Sequence, residues 1–280
     1  MKDRAFAKIN LSLDVVKRRD DGYHELEMIM VPINFYDLVE ITFSEEMEFH
    51  SNARYIPKNI EGNTVLKAIS LLRDKYHFVQ NFKIVVTKHV PTRAGLGGGS
   101  ADAASTIRIV NKLLNLQMTQ AEMLSIAKEV GADVPFCILN KCAHVKGIGE
   151  KLSVFTNNSD FHVLLVKPKK GISTKKSFES LNLQTCDHPD CNLVKSALEN
   201  NDYQKLITNL KNSLEQPSFQ IVTSIEDIKN ELLNLGLDAS LMSGSGSTVF
   251  ALSKDLNVVK NAAINMRKKG YFTRITNILK

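Results

Sequence analysis

The chain has 280 residues, of which 43% are hydrophobic and 24% are charged, and its formal net charge at pH 7 is +6. This composition excludes an intrinsically disordered chain, and no stretch approaches the roughly 18 consecutive apolar residues of a membrane span. The first residues lack the apolar core of a secretory signal, so a cytoplasmic protein with reduced cysteines and no membrane partner is expected.

The positive charge allows two interpretations. One is a lysine-rich solvated surface, and the other is a preference for anionic ligands such as nucleotides and phosphates. The aromatic residues are not grouped with basic residues in an RNA-binding signature, and no predicted helix carries a dense basic stripe. We therefore expect no nucleic-acid partner.

The N-terminal part of the chain is predicted to form strands. Residues 8–15 alternate between polar and apolar, which places Lys8 and Asn10 on the polar face of a strand. Further strand-like runs lie near residues 26–33, 38–43 and 82–88.

Three helices are predicted in the middle of the chain. They cover residues 63–76, capped by Asn63; residues 100–114, starting at Ser100; and a segment that begins with the capping box Thr119-x-x-Glu122 and ends at Gly131.

The C-terminal half is predicted to mix strands and helices. In chain order we expect a hairpin near 142–155, a strand at 161–168, a mostly helical region at 173–235, a glycine-serine loop leading into a strand at 241–252, a helix at 255–268 and a strand at 271–278. The length and the pattern predict an α/β (α+β) protein of two domains or one large α/β unit, and for two domains the expected ranges are residues 1–155 and 156–280.

The segment "PTRAGLGGGSADAAST", residues 91–106, contains four glycines. It matches neither the dinucleotide fingerprint G-x-G-x-x-G, since Ser100 stands at the last position, nor the phosphate loop G-x-x-x-x-G-K-[ST]. What it shares with both is a set of backbone N–H groups that can converge on phosphate at the start of a helix. The alternative is a tight strand-to-helix turn without a ligand.

The stretch "CDHPDC" sets Cys186, His188 and Cys191 close together. A structural zinc site needs a fourth ligand, and no second Cys/His pair supplies one. A polar surface loop is therefore favoured, and no protein metal site is predicted.

The glycine segment resembles the phosphate loop of the GHMP kinases, which include galactokinase, homoserine kinase, mevalonate kinase and phosphomevalonate kinase. Four more stretches resemble family motifs in the same order: "AKINLSLDV" and "RRDDGYHELEM" before it, and "GADVPF" and "LMSGSGSTVFAL" after it. Together they span nearly the whole chain and are similar to the branch whose alcohol substrate carries a cytidine diphosphate.

This resemblance implies a two-domain fold with an N-terminal ATP-binding domain, a C-terminal substrate-binding domain and the active site in the cleft between them. It implies an ATP-dependent kinase of non-mevalonate isoprenoid biosynthesis, with Mg²⁺ bound alongside the nucleotide, acting as a monomer or weak homodimer. Two alternatives remain open: a related kinase acting on homoserine or mevalonate, and a catalytically silent ligand sensor.

The resemblance also implies two catalytic residues. Asp133 would take the proton of the attacking hydroxyl, and Lys8 beside it would keep that carboxylate ionised or stabilise the transferred phosphoryl group. Asp133 as a cap of the turn at Pro135, and Lys8 as a solvent-facing strand residue, are the alternatives.

The remaining implied contacts are with ATP and the substrate. ATP contacts are expected at Asn63, which alternatively only caps its helix, and along the loop at Pro91, Thr92, Arg93, Ala94, Gly95, Leu96, Gly97, Gly98, Gly99, Ser100 and Ala101. Substrate contacts are expected at Asn10, Tyr23, His24, Ser245, Gly246 and Phe178, the last being alternatively a core residue of a helix. Of these, Tyr23 would stack on the cytosine.

Overall fold

The structure is a computed structural model that describes residues 1–53, 56–57 and 59–279. Its strands are β1 Lys2–Arg18, β2 His24–Ser44, β3 Glu48–Ser51, β4 Asn81–Thr87, β5 Ala143–Gly147, β6 Lys151–Val154, β7 His162–Lys167, β8 Ala239–Met242, β9 Val249–Ser253 and β10 Phe272–Thr276. Its helices are α1 Thr64–Tyr76, α2 Gly98–Leu113, α3 Gln120–Val130, α4 Val134–Leu139, α5 Thr174–Glu179, α6 Cys191–Glu199, α7 Tyr203–Asn209, α8 Glu215–Ile221, α9 Ser224–Asn234 and α10 Leu256–Lys268. This is the mixed α/β architecture that the pattern predicted.

The chain divides into two compact units. The first comprises Met1–Lys8, Phe35–Thr92 and Gly97–Asn140, and the second comprises Ile9–Asn34, Arg93–Leu96 and Lys141–Lys280. Strands β1 and β2 therefore contribute residues to both units. The domain boundary near residue 155 stays a prediction.

The first unit contains part of a β-sheet and the four helices α1 to α4. Strand β4 pairs antiparallel with the second half of β2 and parallel with β3. The alternation of β4 buries Phe82, Ile84 and Val86 on one face. Helix α1 packs on α2 and α3, and α4 packs on the same two helices.

In the second unit, an antiparallel sheet has the strand order β10-β7-β9-β8. The two central strands, β7 and β9, are buried along nearly their whole length, which explains their continuous apolar sequences. Helices α9 and α10 pack against this sheet. The first half of β2 pairs with β5, which forms the predicted hairpin with β6.

Most predicted helices are present, and two of them begin at the predicted N-cap residues. The Asn63 side chain accepts hydrogen bonds from the N–H groups of Val65 and Leu66 at 3.0 and 3.4 Å. The capping box between Thr119 and Glu122 is formed at the start of α3.

The structure corrects the sequence prediction at several elements. The runs near 26–33 and 38–43 form one strand, because Asn34 between them continues the pairing through its N–H bond to the Asn277 carbonyl. Helix α2 begins at Gly98 rather than Ser100, since the left-handed Gly97 is its N-cap. The short elements β3 and α4 were not predicted, and each is too short to display a period.

Candidate active site

Lys8 and Asp133 lie together in the first unit. The Lys8 Nζ atom is 3.3 Å from Asp133 Oδ2, and only 5% of the lysine side chain is exposed, against 33% for the aspartate. Lys8 is held in the middle of β1, and Asp133 stands immediately before α4. The alternative of a solvent-facing lysine is therefore wrong, because the polar face of this part of β1 is covered.

The Asp133 carboxylate is not used as a helix cap. Asp133 occupies the N-cap position of α4, but its side chain makes no capping hydrogen bond. The carboxylate is thus paired with an ammonium group and partly open to solvent, which suits proton transfer with a bound alcohol.

A nearby thiol is not a competing nucleophile. Cys137 lies one turn into α4, and burial, followed by the Asp133 carboxylate, raises its pKa to about 12. A thiol with this pKa remains protonated near neutral pH and is a poor nucleophile.

Residues 97–99 of the glycine loop belong to the first unit. Added side chains would meet tight contacts at Gly97 and Gly98 but not at Gly99. A Cβ atom at Gly97, whose φ is 67°, would lie 3.0 Å from Lys8 Cγ. A Cβ at Gly98 would lie 3.1 Å from Val90 Cγ1 and 3.2 Å from the Lys88 Nζ atom. Gly99 is exposed, and a Cβ there would lie 3.5 Å from Thr64 Oγ1, an ordinary contact distance. Packing within the chain therefore explains Gly97 and Gly98, and leaves room above Gly99.

In the second unit, residues 93–96 of the same loop pack against the C-terminal glycine motif. A Cβ at Gly95 would lie 2.0 Å from the Ser243 carbonyl oxygen, and φ at Gly95 is 73°. The Ser243 hydroxyl donates to the Gly95 carbonyl at 3.0 Å, and the Thr248 N–H donates to the Ala94 carbonyl at 3.2 Å. The two glycine motifs are thus joined by one backbone hydrogen bond and one hydrogen bond from a serine side chain, and their close approach leaves no room for a side chain at Gly95.

Several loop residues predicted to contact ATP have side chains that face the protein interior. Ala94, Leu96 and Ala101 are buried, so only their backbone groups are available to a ligand. Arg93 has a left-handed backbone and lies against Gly171. The ATP contacts of Pro91, Thr92 and Ser100 stay predictions.

Asn63 has its side chain fully engaged in the helix start. In addition to capping α1, its amide donates to the Pro57 carbonyl at 2.9 Å, and the residue is buried. The capping alternative is confirmed by these contacts, and a contact with adenine stays a prediction.

The residues predicted to bind the cytidine lie in the second unit. His24 and Phe178 stack with their ring centroids 5.0 Å apart and their planes inclined by 28°. Phe178 is half-buried on α5, so the alternative of a core residue is wrong, and its contact with the substrate stays a prediction. Tyr23 is 62% exposed at the end of the preceding turn. Burial, followed by the charge of Arg18, lowers the pKa of His24.

The other predicted substrate residues also belong to the second unit. Asn10 is buried, and its amide donates to Met28 Sδ at 3.3 Å. The Ser245 hydroxyl is 3.0 Å from the Thr174 hydroxyl, and a Cβ at Gly246 would lie 2.7 Å from Met242 Sδ. Thr174, the first residue of α5, was not singled out by the sequence prediction.

A buried charge cluster below the start of α2 was also missed. Lys88 pairs with both Asp37 and Asp102, and its Nζ atom is 2.6 Å from Asp102 Oδ2. The available signal was a lysine at the end of a strand pattern together with an acidic residue two positions after Ser100.

The cysteine-rich stretch forms no metal site. His188 contacts Asp14 through Nδ1 at 2.7 Å and Cys186 through Nε2 at 3.5 Å, so these partners lie on opposite sides of the ring. Cys191 is buried elsewhere, next to Ser12. Among residues 1–53, 56–57 and 59–279, no group of three or more Cys, His, Asp or Glu side chains is arranged to hold a metal ion.

Two family models match this chain. The model of the GHMP kinases N terminal domain matches residues 63–141, and that of the GHMP kinases C terminal domain matches residues 194–271.

In the described part of the chain, none of the helices has the length and apolar character needed to cross a bilayer.

Curated relatives match over nearly the full length. The 4-diphosphocytidyl-2-C-methyl-D-erythritol kinase of Clostridium beijerinckii is 39% identical over 271 residues, which is 96% of each chain. The Bacillus subtilis protein of the same name is 39% identical over 252 residues, covering 89% of this chain and 87% of its own.

Solved structures with the same fold include a 4-(cytidine 5'-diphospho)-2C-methyl-D-erythritol kinase. It superposes with a TM-score of 0.82 at 28% identity and covers 99% of both chains. A homoserine kinase from Cytophaga hutchinsonii superposes with a TM-score of 0.74 at 19% identity, covering 98% of this chain and 94% of its own, and shares the fold.

Proposed function

Because the chain belongs to the GHMP kinases, and within them to the 4-diphosphocytidyl-2-C-methyl-D-erythritol kinases, we propose that Lys8 and Asp133 carry its phosphoryl transfer. GHMP kinases are ATP-dependent, and the relatives act in isoprenoid biosynthesis. The proposed reaction moves the γ-phosphoryl group of ATP to the 2-hydroxyl of 4-diphosphocytidyl-2-C-methyl-D-erythritol.

Asp133 is proposed to be the proton acceptor. Its carboxylate is partly exposed and is not used as a helix cap, so a substrate hydroxyl can approach it. As the bond to phosphorus forms, the hydroxyl proton passes to this carboxylate. Lys8, whose Nζ atom is 3.3 Å from this carboxylate, stabilises negative charge on the phosphoryl oxygens during the transfer.

The start of α2 is proposed to bind the ATP phosphates. The first hydrogen bond within this helix runs from the Ala101 N–H to the Gly97 carbonyl, so the N–H groups of residues 98–100 have no partner within the helix. Gly99 is exposed, and a Cβ there would make only an ordinary contact with Thr64 Oγ1, which supports this site because phosphate oxygens can come close to a backbone without a side chain. We propose that Mg²⁺ enters with the nucleotide and is held mainly by phosphates and water, its usual mode in kinases.

The aromatic residues of the second unit are proposed to bind the cytidine. Tyr23 offers an exposed ring face, and the His24–Phe178 stack offers a second aromatic surface. Since His24 and Phe178 already contact one another, the base stacks on Tyr23 or on the outside of that pair rather than between its two rings.

We propose that Ser245 and Gly246 face the substrate phosphates. We also propose that the protein is a monomer or weak homodimer without a nucleic-acid partner.

The observation that carries this proposal is the Lys8–Asp133 pair in a chain of which 96% matches one of these kinases. The test is ADP release with ATP and a panel of alcohols: 4-diphosphocytidyl-2-C-methyl-D-erythritol, homoserine and mevalonate. We expect turnover with the first substrate alone. Turnover with another alcohol would make the chain a different GHMP kinase, and binding without turnover would make it a ligand sensor.

A further inference from the structure

The charge cluster beneath the glycine loop contains one cation and two anions. Lys88 stands just after β4, Asp37 lies in β2 and Asp102 lies in the second turn of α2. The Lys88 side chain is only 7% exposed, and the Asp37 and Asp102 side chains are 0% and 5% exposed. With both carboxylates ionised, this buried cluster therefore carries one uncompensated negative charge.

The two carboxylates are not equally well satisfied. Asp37 accepts hydrogen bonds from the N–H groups of His89 and Val90, at 2.5 and 2.8 Å, and also pairs with Lys88. Asp102 pairs with Lys88 through Oδ2, but within the described part of the chain its buried Oδ1 has no hydrogen-bond partner. A buried carboxylate oxygen without a donor disfavours the charged form. The proton that would neutralise the cluster therefore belongs on Asp102.

The surrounding groups agree with this assignment. Burial raises the pKa of Asp102 to about 7, against the lowering effect of Lys88, and the neighbouring Asp37 raises it further by its charge and because a protonated Asp102 can donate to it. From α4, Cys137 faces the same region as a neutral thiol. From β1, Lys8 lies against Gly97 at this end of the helix.

The cluster lies at the proposed phosphate site. A Cβ at Gly98 would be 3.2 Å from Lys88 Nζ, so the ammonium group is adjacent to the first turn of α2. A phosphate at that turn brings further negative charge close to Asp102, and a nearby like charge disfavours an ionised carboxylate. Binding of the nucleotide and ionisation of Asp102 thus oppose each other.

We propose that Asp102 takes up a proton when ATP binds, so that Lys88 and Asp37 remain as a neutral pair beneath the phosphates. This inference rests on the proposed nucleotide site. The reaction balances as one carboxylate plus one solvent proton giving one carboxylic acid. In the acid form, the Asp102 hydroxyl donates to Asp37, and its carbonyl oxygen still accepts from Lys88. Asp102 is therefore a positioning residue, because it accepts a hydrogen bond from Lys88 whether it is ionised or protonated.

Linkage fixes the sign of the pH dependence. ATP affinity is constant where free Asp102 is already protonated, which is below about pH 7, and it falls as the pH rises above that value. The fall continues until the pH reaches the higher pKa of the ATP complex and then levels off. Each pH unit within this window weakens binding by up to about tenfold.

The test is calorimetric titration of the full-length protein with ATP at constant Mg²⁺, at about pH 7.5, in buffers with different ionisation enthalpies. We expect net proton uptake by the wild type. Asp102→Asn mimics the protonated acid, since its amide can donate to Asp37 while its carbonyl accepts from Lys88. This variant should bind ATP within a few-fold of wild type at neutral pH, take up fewer protons, and lose the decline in affinity at alkaline pH.

Glu215→Gln is the matched control. Glu215 is another buried carboxyl group, paired with Lys229 in the second unit, and burial raises its pKa as well. This variant should retain the proton uptake of the wild type.

Equal proton uptake by wild type and Asp102→Asn would overturn the inference and leave the nucleotide site intact. Absence of ATP binding to the wild type would overturn both. If Asp102→Asn does not fold, the pH profile of wild-type affinity decides: a decline above about pH 7 supports the proposal, and a flat or rising profile overturns it.

Discussion

Lys8 and Asp133 form an ion pair whose two members have very different access to solvent. The lysine is almost completely enclosed, whereas a third of the aspartate side chain is exposed. A buried ammonium group needs its partner, since removing one member leaves a desolvated charge. The exposed part of the carboxylate remains free to meet a substrate.

Asp133→Asn tests the proposed proton acceptor. The change keeps the size of the side chain but removes its basicity, so kcat should fall by about 10²–10⁴ while both substrates bind within a few-fold. Lys8→Ala should also be slow, and the double variant should be little slower than the slower single variant, because the two residues act as a unit. Single-turnover phosphoryl transfer and calorimetric binding on folded protein provide the measurement.

Asp74→Asn is the control for this change, since Asp74 is an exposed carboxylate on α1. It should leave kcat unchanged. An Asp133→Asn protein with a rate near that of wild type would remove this carboxylate from the mechanism, and lost binding with intact chemistry would make it a substrate-positioning residue.

Tyr23→Ala tests the proposed cytidine surface. Loss of a stacked ring removes roughly 1–3 kcal/mol from binding of the base, so KM for the cytidine substrate should rise about 5- to 150-fold while KM for ATP stays constant. Steady-state kinetics with each substrate varied in turn is the measurement. Phe43→Ala removes another exposed aromatic ring, in the first unit, and should change neither KM. An equal rise in both KM values for Tyr23→Ala would contradict the assignment.

At the scale of elements, the glycine loop combines positions required by packing with one exposed position. Gly95 and Gly97 have left-handed backbones, and added side chains there meet the Ser243 carbonyl and Lys8. Gly99 lies in the first turn of α2 with ordinary contact distances around it. Substitutions along one short segment should therefore separate folding from binding.

Gly99→Val should weaken ATP binding by at least about tenfold, or 1.4 kcal/mol, because the side chain occupies the space proposed for phosphate. Its thermal unfolding temperature should stay close to that of wild type. Gly95→Ala should instead lower the unfolding temperature strongly, since its Cβ would lie 2.0 Å from a backbone oxygen. Calorimetric titration and thermal unfolding measure the two effects, and unchanged ATP affinity in Gly99→Val would contradict the phosphate site.

Thr119→Ala tests the start of α3 and serves as a control for stability. The capping box is complete in the structure, so its loss should reduce the free energy of unfolding by about 1 kcal/mol. ATP affinity should not change, because α3 contributes no proposed ligand. Urea denaturation and ATP titration of the same variant would show whether a loss of this size alone alters binding.

At the scale of the whole molecule, ligand binding is linked to stability. A nucleotide that binds only the folded protein, at about 100 times its Kd, should stabilise it by about 2.7 kcal/mol. For a chain of this size that corresponds to a rise of several degrees in the unfolding temperature. Thermal unfolding with and without ATP at constant Mg²⁺ measures the shift, and Gly99→Val should show a smaller one at the same nucleotide concentration.

The sequence by itself determined the features that depend on neighbouring residues. The caps at Asn63 and Thr119 and most of the strands follow from local hydrogen bonding and short periods. The ordered motifs likewise sufficed to identify the family, and they pointed to Lys8 and Asp133 before their distance was known.

Only the tertiary structure decided which distant residues meet. The approach of Gly95 to Ser243, the stack of His24 on Phe178, and the cluster of Asp37, Lys88 and Asp102 join residues far apart in sequence. Local propensity carries no information about such contacts, since they arise when whole strands and helices pack together. The same packing buries Lys8 and Asp102, and burial is what gives a charged side chain an environment that its neighbours in sequence cannot specify.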